Sequence, residues 1–264
     1  MKSLSFNGLA DLYDETRSFD NHCLNLALNY ISTTFPIKTY SKLLEPGIGT
    51  GRIAIPIAQL GYQVVGVDIS DEMLSVLGRR LKQNVPKLPI VFQRADITQL
   101  PFINSAFDIA IVSHVFYFIQ DWKKAVDEIL RVIRKNGSII LMHTGTGAEI
   151  PFLNERYMEL SASLNSPIPT MGVKGTKEVV DYFCSLGCKA EWIRDRWQWT
   201  SRIQLGKALD YIKYRAYSFT TFTSDAIHME VIKMLGAELN SKYNSLDRVI
   251  EIPNQIYLVV LNRP

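Results

Sequence analysis

Three closely spaced glycines, Gly47, Gly49 and Gly51, carry the strongest chemical signal in this sequence. They lie in the segment EPGIGTG, between a predicted strand and a predicted helix. Glycines in such a loop allow a tight turn and let a ligand approach the backbone, where the N–H groups of a helix start point outward. A dinucleotide fingerprint, GxGxxG, would need a glycine where the sequence has Arg52. The pattern is instead an acid, Glu45, followed by GxGxG.

Acidic residues also end the next two predicted strands. Asp68 closes the strand QVVGVD, where a carboxylate can accept hydrogen bonds from both hydroxyls of a ribose. Asp96 follows the third strand and could accept from the exocyclic amine of an adenine. The alternatives are a helix-capping or solvated acid for Asp68 and an ordinary loop residue for Asp96. Open α/β sheets bind ligands at the carboxyl ends of their strands, so the acids predict a nucleoside site at one sheet edge.

Short β-branched runs alternate with longer amphipathic stretches in the first half of the chain. This alternation is typical of successive βα units and a parallel sheet. The predicted strands are Lys42–Pro46, Gln63–Asp68, Ile90–Arg94, Phe107–Ser113 and Ser138–His143, and the predicted helices cover about residues 51–60, 71–83 and 122–134.

The regular alternation stops after Met142 and returns later in the chain. A turn, a helical stretch near residues 153–164 and the loop NSPIPTMG come first; the helix TKEVVDYFCSLGC and a strand near residues 189–196 follow. Residues 201–243 favour two helices, and IYLVVLN favours a last strand. We expect one domain over residues 1–264, with a cofactor-binding core at about 40–145 and helical cap inserts at about 146–172 and 201–245.

The acids at three consecutive strand ends, together with the glycine loop, resemble the class I S-adenosylmethionine-dependent methyltransferases. The similarity continues through LPF, FD, SH and RVIRKNGSIIL, so that residues 13–142 follow the order of the ubiquinone/menaquinone-biosynthesis-like branch. The turn NGS departs from the usual PGG. The resemblance implies an α/β fold: a Rossmann-like open sheet, mostly parallel with an antiparallel last strand. Helices would cover both faces, with helical inserts after strands five and six.

The resemblance also implies S-adenosylmethionine as the cofactor. The glycines would line its methionine moiety, Asp68 would hold the ribose, Asp96 and Ile97 would flank the adenine, and Glu45 would lie near the amino-acid end. The N-terminal segment LYDETR would fold over the cofactor, although a simple helix start is an equal alternative. The full implied set is Glu45, Gly47, Gly49, Gly51, Asp68, Ile69, Asp96, Ile97 and Ser113, with Tyr13 and Arg17 from the N-terminal segment.

Two histidines are candidate catalytic bases. His114 follows the fourth predicted strand and His143 ends the fifth, which puts both at the ligand edge. Methyl transfer from a sulfonium is an in-line displacement that needs alignment more than acid catalysis. A base matters only where the acceptor is a hydroxyl or an acidic carbon that must lose a proton. The alternative for each residue is an edge histidine that is satisfied by local hydrogen bonds.

The composition of the chain argues against several classes of protein. The chain has 264 residues, 47% of them hydrophobic, and a net charge of +3, which is too small to draw the whole molecule onto nucleic acid or a membrane surface. No apolar run approaches the ~18 residues of a membrane helix. The odd number of cysteines suits a reducing compartment, and the spacing of Cys184 and Cys188 does not suggest a metal site. We expect a cytoplasmic protein without a metal, as a monomer or homodimer.

A basic and aromatic block leaves the type of substrate open. Residues 189–215 contain seven Lys or Arg and three Asp or Glu, together with Trp192, Trp197 and Trp199. Such a block can bind single-stranded nucleic acid. We favour a cap over a small-molecule site, because the overall charge is low. The expected function is methyl transfer to a small-molecule acceptor at O, N or C, and the alternatives are a non-catalytic cofactor-binding or regulatory module and an RNA methyltransferase.

Overall fold

One seven-stranded sheet forms the centre of the molecule. The computed structural model describes residues 16, 19–83, 87–144 and 151–264. The strands lie in the order β3-β2-β1-β4-β5-β7-β6. Their bounds are β1 Lys42–Pro46, β2 Gln63–Asp68, β3 Ile90–Arg94, β4 Phe107–Ser113, β5 Ile133–Thr144, β6 Lys189–Gln204 and β7 Val249–Asn262. Strands β1 to β5 are parallel, while β7 is antiparallel to both of its neighbours, β5 and β6. The expected sheet is therefore confirmed.

Helices cover both faces of this sheet. They are α1 Asn21–Thr34, α2 Ala54–Gln59, α3 Asp71–Gln83, α4 Trp122–Val132, α5 Pro151–Ser163, α6 Thr176–Ser185, α7 Leu205–Lys213 and α8 Asp225–Tyr243. Helices α1 to α3 pack on one face with Leu43, and α4 and α6 pack on the other with Leu44. Successive strand residues point to opposite faces, so a parallel strand buried on both sides reads as a continuous apolar run. Among the described residues, no helix is long and apolar enough to cross a membrane.

A third cluster lies beyond the sheet core. Helices α5, α7 and α8 pack together with the far ends of β6 and β7, for example through Ile203 and Ile252. Several predicted boundaries were wrong, among them the start of β7, which lies at Val249, well before the predicted IYLVVLN. Residues 201–204 belong to β6 and not to a helix, because β6 stays paired with β7 as far as Gln204, which lies opposite Val249. Strand β5 begins earlier than predicted, at Ile133, and helix α2 is shorter than predicted. That these helices form a cap over the acceptor stays a prediction.

Candidate functional site

The glycine loop is held against the end of β2 by backbone hydrogen bonds. The N–H groups of Gly47 and Ile48 donate to the Val67 carbonyl at 2.7 and 3.0 Å. Gly47 has a φ of +75°, and a Cβ there would lie 2.4 Å from Cγ2 of Val115. Gly49 also has a positive φ, but no atom of the described residues lies within 4 Å of the position of its Cβ. Glycine is thus required for packing at Gly47, while Gly49 leaves space for a ligand.

The carboxylate of Asp68 is bonded to the same loop. Its Oδ2 accepts from the N–H of Gly49, and its Oδ1 accepts from the N–H of Ser70, both at 2.9 Å. Burial raises the pKa of Asp68, and the hydrogen bonds from the Ser70, Gly49 and Ile69 backbone oppose this shift. Each carboxylate oxygen has a further lone pair, so Asp68 can still accept from the two hydroxyls of a ribose.

Two side-chain oxygens at the ends of β1 and β4 are buried and have no hydrogen-bond partner among the described residues. They are Oε2 of Glu45 and Oγ of Ser113. Burial raises the pKa of Glu45 well above its usual value, Arg52 opposes the shift and Asp68 adds to it. Buried polar atoms without a partner are rare in native proteins and call for an explanation. For Ser113, which lines the cavity described next, a bound ligand with a donor group, such as the amino-acid end of S-adenosylmethionine, would supply the missing partner.

These strand ends surround a cavity, the kind of concave site in which small molecules bind. The predicted site residues that line the cavity are Gly47, Gly49, Asp68, Ile69, Asp96, Ile97, Ser113 and His114. The residues present therefore fit a nucleoside that carries a polar tail.

Six apolar residues of the cavity were not identified from the sequence. They are Val67, Met73, Ala95, Val115, Phe118 and Ile119. Val67 and Ala95 directly precede the predicted acids Asp68 and Asp96, so strand-end position could have found them. Phe118 and Ile119 lie at a 3₁₀ turn after β4, Phe116–Phe118, which has no sequence motif that would mark it.

Some predicted cofactor residues lie elsewhere. Glu45 and Gly51 do not line the cavity. A Cβ on Gly51 would lie 2.5 Å from Cδ1 of Leu77, so this glycine allows the loop to pack against α3. Tyr13 and Arg17 lie outside the described residues. Contacts of these four residues with a cofactor stay predictions.

Asp96 lines the cavity and also caps a turn. Its Oδ1 accepts from both the N–H and the hydroxyl of Thr98, each at 2.8 Å. This interaction caps the 3₁₀ turn Ile97–Gln99 and fixes the carboxylate at the end of β3. A fixed carboxylate is suited to a directional hydrogen bond, because little side-chain freedom is lost on binding.

The two histidines occupy different environments. His114 lines the cavity and has a φ of +55°. A positive φ is uncommon outside glycine, and such strain is concentrated at functional sites. His143 is only 7% exposed, and burial lowers its pKa to about 4, so its ring is neutral at pH 7. The two rings are in edge contact, with centroids 5.4 Å apart.

His143 belongs to a hydrogen-bonded cluster behind the cavity. Its Nε2 lies 3.2 Å from Oγ1 of Thr176, which also contacts the hydroxyls of Tyr257 at 3.0 Å and Tyr117 at 3.3 Å. The ring of Tyr257 stacks on His143 at 5.0 Å. The geometry of His143 thus fits the alternative to a catalytic base, which is a histidine at the sheet edge that hydrogen-bonds to its neighbours. His114 lines the cavity, and its role as a base there stays a prediction.

The tryptophans of β6 pack within the protein. Trp192 stacks on Tyr257 at 6.3 Å, and the guanidinium of Arg194 lies 4.1 Å from the centre of the indole. Trp197 is buried, with its ring edge-on to Tyr30 of α1 at 5.6 Å. Neither they nor Trp199 line the cavity. The reason is strand order, since β6 is the edge strand on the far side of β5 and β7.

Comparison with known proteins agrees with this geometry. Residues 44–141 match the family described as "Methyltransferase domain". A demethylmenaquinone methyltransferase of Clavibacter sepedonicus is 29% identical over 157 residues, which cover 59% of this chain and 62% of that relative. The ubiquinone/menaquinone biosynthesis C-methyltransferase UbiE of Bdellovibrio bacteriovorus is 29% identical over 67% of this chain and 75% of its own length. The chain thus spans less than two thirds of the first of these relatives.

A solved structure shows the same fold over the whole sheet. The YcgJ protein of Bacillus subtilis superposes with a TM-score of 0.62 at 21% identity, covering 93% of this chain and 100% of that one. The fold, the glycine loop and the strand-end carboxylates agree with the match to the methyltransferase-domain family and are similar to those of the class I S-adenosylmethionine-dependent methyltransferases. Within that class, the similarity is to the branch that contains UbiE.

Proposed function

We propose that this protein transfers the methyl group of S-adenosylmethionine to a small, partly apolar or aromatic acceptor at O, N or C. The observation that carries the proposal is that Gly49, Asp68 and His114 line one cavity. Two relatives are named for menaquinone or ubiquinone biosynthesis, and one of them is a C-methyltransferase. The first acceptor class to test is therefore a reduced, demethylated quinone, in which an electron-rich ring carbon takes the methyl group.

The residues of the cavity would act by binding and orientation. When bound, S-adenosylmethionine supplies a methyl group on a positively charged sulfur, which is an excellent leaving group. Asp68 would accept the ribose hydroxyls, and Gly49 would allow the ligand close to the backbone. The apolar side chains of Ile97 and Phe118 would exclude water from the bound cofactor. Orientation alone can supply ~7 kcal/mol or more of a barrier, so this is a sufficient role for most of the site.

His114 would act on the acceptor. When the ring of a hydroquinone is methylated at carbon, the phenolic proton leaves first. The methylated carbon then loses its own proton and the oxygen regains one as aromaticity returns, so that one proton is released overall. The imidazole of His114 lines the cavity and can accept one of these protons. A base at this position would affect the acceptor step more than cofactor binding.

Contacts of the basic block argue against the RNA methyltransferase. Arg202 pairs with Glu251 at 2.9 Å, and Arg196 lies over the ring of Tyr30 at 5.2 Å. Trp197 is buried, so it cannot stack on a base. These contacts support a small-molecule acceptor and no nucleic-acid partner. We also propose a cytoplasmic location and a monomer or homodimer.

Transfer of a labelled methyl group tests the function. The wild-type protein is incubated with methyl-labelled S-adenosylmethionine and a panel of acceptors, headed by reduced demethylmenaquinone and extended to a metabolite extract. We expect a labelled, organic-extractable product. A protein that binds S-adenosylhomocysteine but labels no acceptor would support the alternative of a non-catalytic binding module. A labelled RNA fraction would instead support the RNA methyltransferase.

A further inference from the structure

One hydroxyl group connects four elements next to the cavity. Thr176 is the first residue of α6 and is buried. Its Oγ1 lies within 3.3 Å of Nε2 of His143 in β5, the hydroxyl of Tyr257 in β7 and the hydroxyl of Tyr117 in the 3₁₀ turn after β4. The side chains come from segments that are far apart in sequence. The Thr176 hydroxyl is therefore the centre of a tertiary network.

The donors and acceptors of this network match. A threonine hydroxyl donates one hydrogen bond and accepts two, which equals the three partners of Thr176. Burial lowers the pKa of His143 and raises that of Tyr117, so the imidazole is neutral and this phenol keeps its proton. Tyr117 and Tyr257 can then donate to Thr176, and Thr176 can donate to Nε2 of His143. The two lone pairs and the one proton of the Thr176 hydroxyl are then all engaged in hydrogen bonds.

The network supports the wall of the cavity that holds His114. The ring of His114 contacts His143 at 5.4 Å and faces Tyr117 at 6.4 Å. The segment before Thr176 also bonds to the turn that follows His114, because the N–H groups of Gly172 and Val173 donate to carbonyls of that turn at 3.1 and 3.2 Å. Two kinds of contact thus link the start of α6 to the position of His114.

We propose that Thr176 is a positioning residue for methyl transfer: it holds His143 and Tyr117, the two rings that orient His114 toward the acceptor. This inference rests on the proposed function, because it gives His114 the task of receiving the acceptor's proton. Thr176 itself does not line the cavity, so cofactor binding does not depend on it.

Histidine NMR tests the structural half of the proposal without an acceptor. The chain has four histidines, so ¹³C-labelled imidazoles give few signals to assign. In Thr176→Val, we expect the signals of both His114 and His143 to move, while those of His22 and His228 stay. Thr223→Val is the matched control. Thr223 is also a buried threonine, 2.8 Å from the hydroxyl of Tyr157, and that hydroxyl contacts His228.

Kinetics test the functional half, with reduced demethylmenaquinone as the probe. Thr176→Val should lower kcat about tenfold, because it removes the hydroxyl that joins three groups, each bond being worth up to a severalfold change in rate. The dissociation constant for S-adenosylhomocysteine should stay the same. Thr176→Ser keeps the hydroxyl and should restore kcat, and Thr223→Val should leave kcat unchanged.

The two measurements separate the possible failures. An unchanged His114 signal, or an unchanged kcat, in Thr176→Val would overturn the positioning role. If no acceptor is methylated, the proposed function fails, and the NMR result still decides whether Thr176 orients His114. If Thr176→Val does not fold, Tyr257→Phe removes one partner of the same hydroxyl. It should move the same two signals less, and unmoved signals would again refute the proposal.

Discussion

Replacing Asp68 with asparagine tests how the protein holds its cofactor. Both carboxylate oxygens accept backbone N–H groups, from Gly49 and Ser70, at 2.9 Å. Asparagine has the same shape but offers one oxygen and one NH₂ group. In either orientation, the NH₂ group would face a backbone N–H as donor against donor. The substitution therefore removes one ribose acceptor and disturbs the backbone at either Gly49 or Ser70.

The expected loss follows from these contacts. A hydrogen bond to a charged group contributes ~1.5–3 kcal/mol, and each 1.4 kcal/mol is about a tenfold change in a dissociation constant. Loss of one such bond to a ribose hydroxyl should raise the dissociation constant at least about tenfold. The remaining amide oxygen of asparagine carries no negative charge, so its hydrogen bond to the other ribose hydroxyl is weaker than that of a carboxylate oxygen. This weakening raises the dissociation constant further.

Isothermal titration calorimetry with S-adenosylhomocysteine measures this loss, and Asp71→Asn is its matched control. Asp71 lies three residues further on, outside the cavity lining, and pairs with Arg94 at 3.1 Å through side chains that are 64% and 62% exposed. An exposed pair is worth ~0–1 kcal/mol, so this variant should bind as the wild type does. Equal affinity of Asp68→Asn and wild type would refute the assignment of Asp68 to the ribose, and binding of NAD in place of S-adenosylhomocysteine would refute the cofactor.

Three further predictions concern the histidines and the basic block. His114→Ala should lower kcat with reduced demethylmenaquinone, while calorimetry finds a smaller loss of cofactor affinity; a normal kcat would mean catalysis by positioning alone. His143 takes up a proton at about pH 4 when folded and near 6.5 when unfolded, so its protonation favours unfolding as the pH falls through that window. Urea titrations should show that the free energy of unfolding of the wild type falls by up to about 3 kcal/mol through this window, a loss that His143→Gln lacks. Parallel pH profiles of the two proteins would contradict the burial argument. Gel shifts with tRNA at 0.15 M salt should show negligible binding; micromolar affinity that weakens in Arg196→Ala would restore the RNA alternative.

The parts of the fold that depend on nearby residues could be predicted. The bounds of β1 to β4 agree with the prediction because each contains a short apolar run, and a glycine, an acid or a serine lies at its end or within two residues of it. That a cavity lies at this edge of the sheet could be predicted for the same reason. Gly47 and Asp68 lie at the ends of consecutive strands, and parallel pairing of β1 with β2 brings those ends together.

The parts that depend on distant pairing could not be predicted. β6 continues to Gln204 because β7 supplies the backbone partners, and the nearest of these, Val249, comes after two helices. His143 lies opposite Tyr257 only through the register of β5 with β7. Neither residue has a local signal for this contact, so the sequence could not reveal that His143 is buried and bonded to Thr176.

The same distinction explains why the sequence indicates the cofactor but not the acceptor. Every predicted cofactor residue that lines the cavity lies within residues 47–113, on loops whose positions follow from one parallel sheet. The wall around His114 is built instead from a turn after β4, the start of α6 and a strand that pairs antiparallel near the chain's end. Changes in any of these segments can alter the wall without touching Asp68 or the glycine loop. Acceptor specificity can therefore vary while the cofactor site stays the same, and Thr176, Tyr117 and Tyr257 are the positions where we expect such variation to change the acceptor.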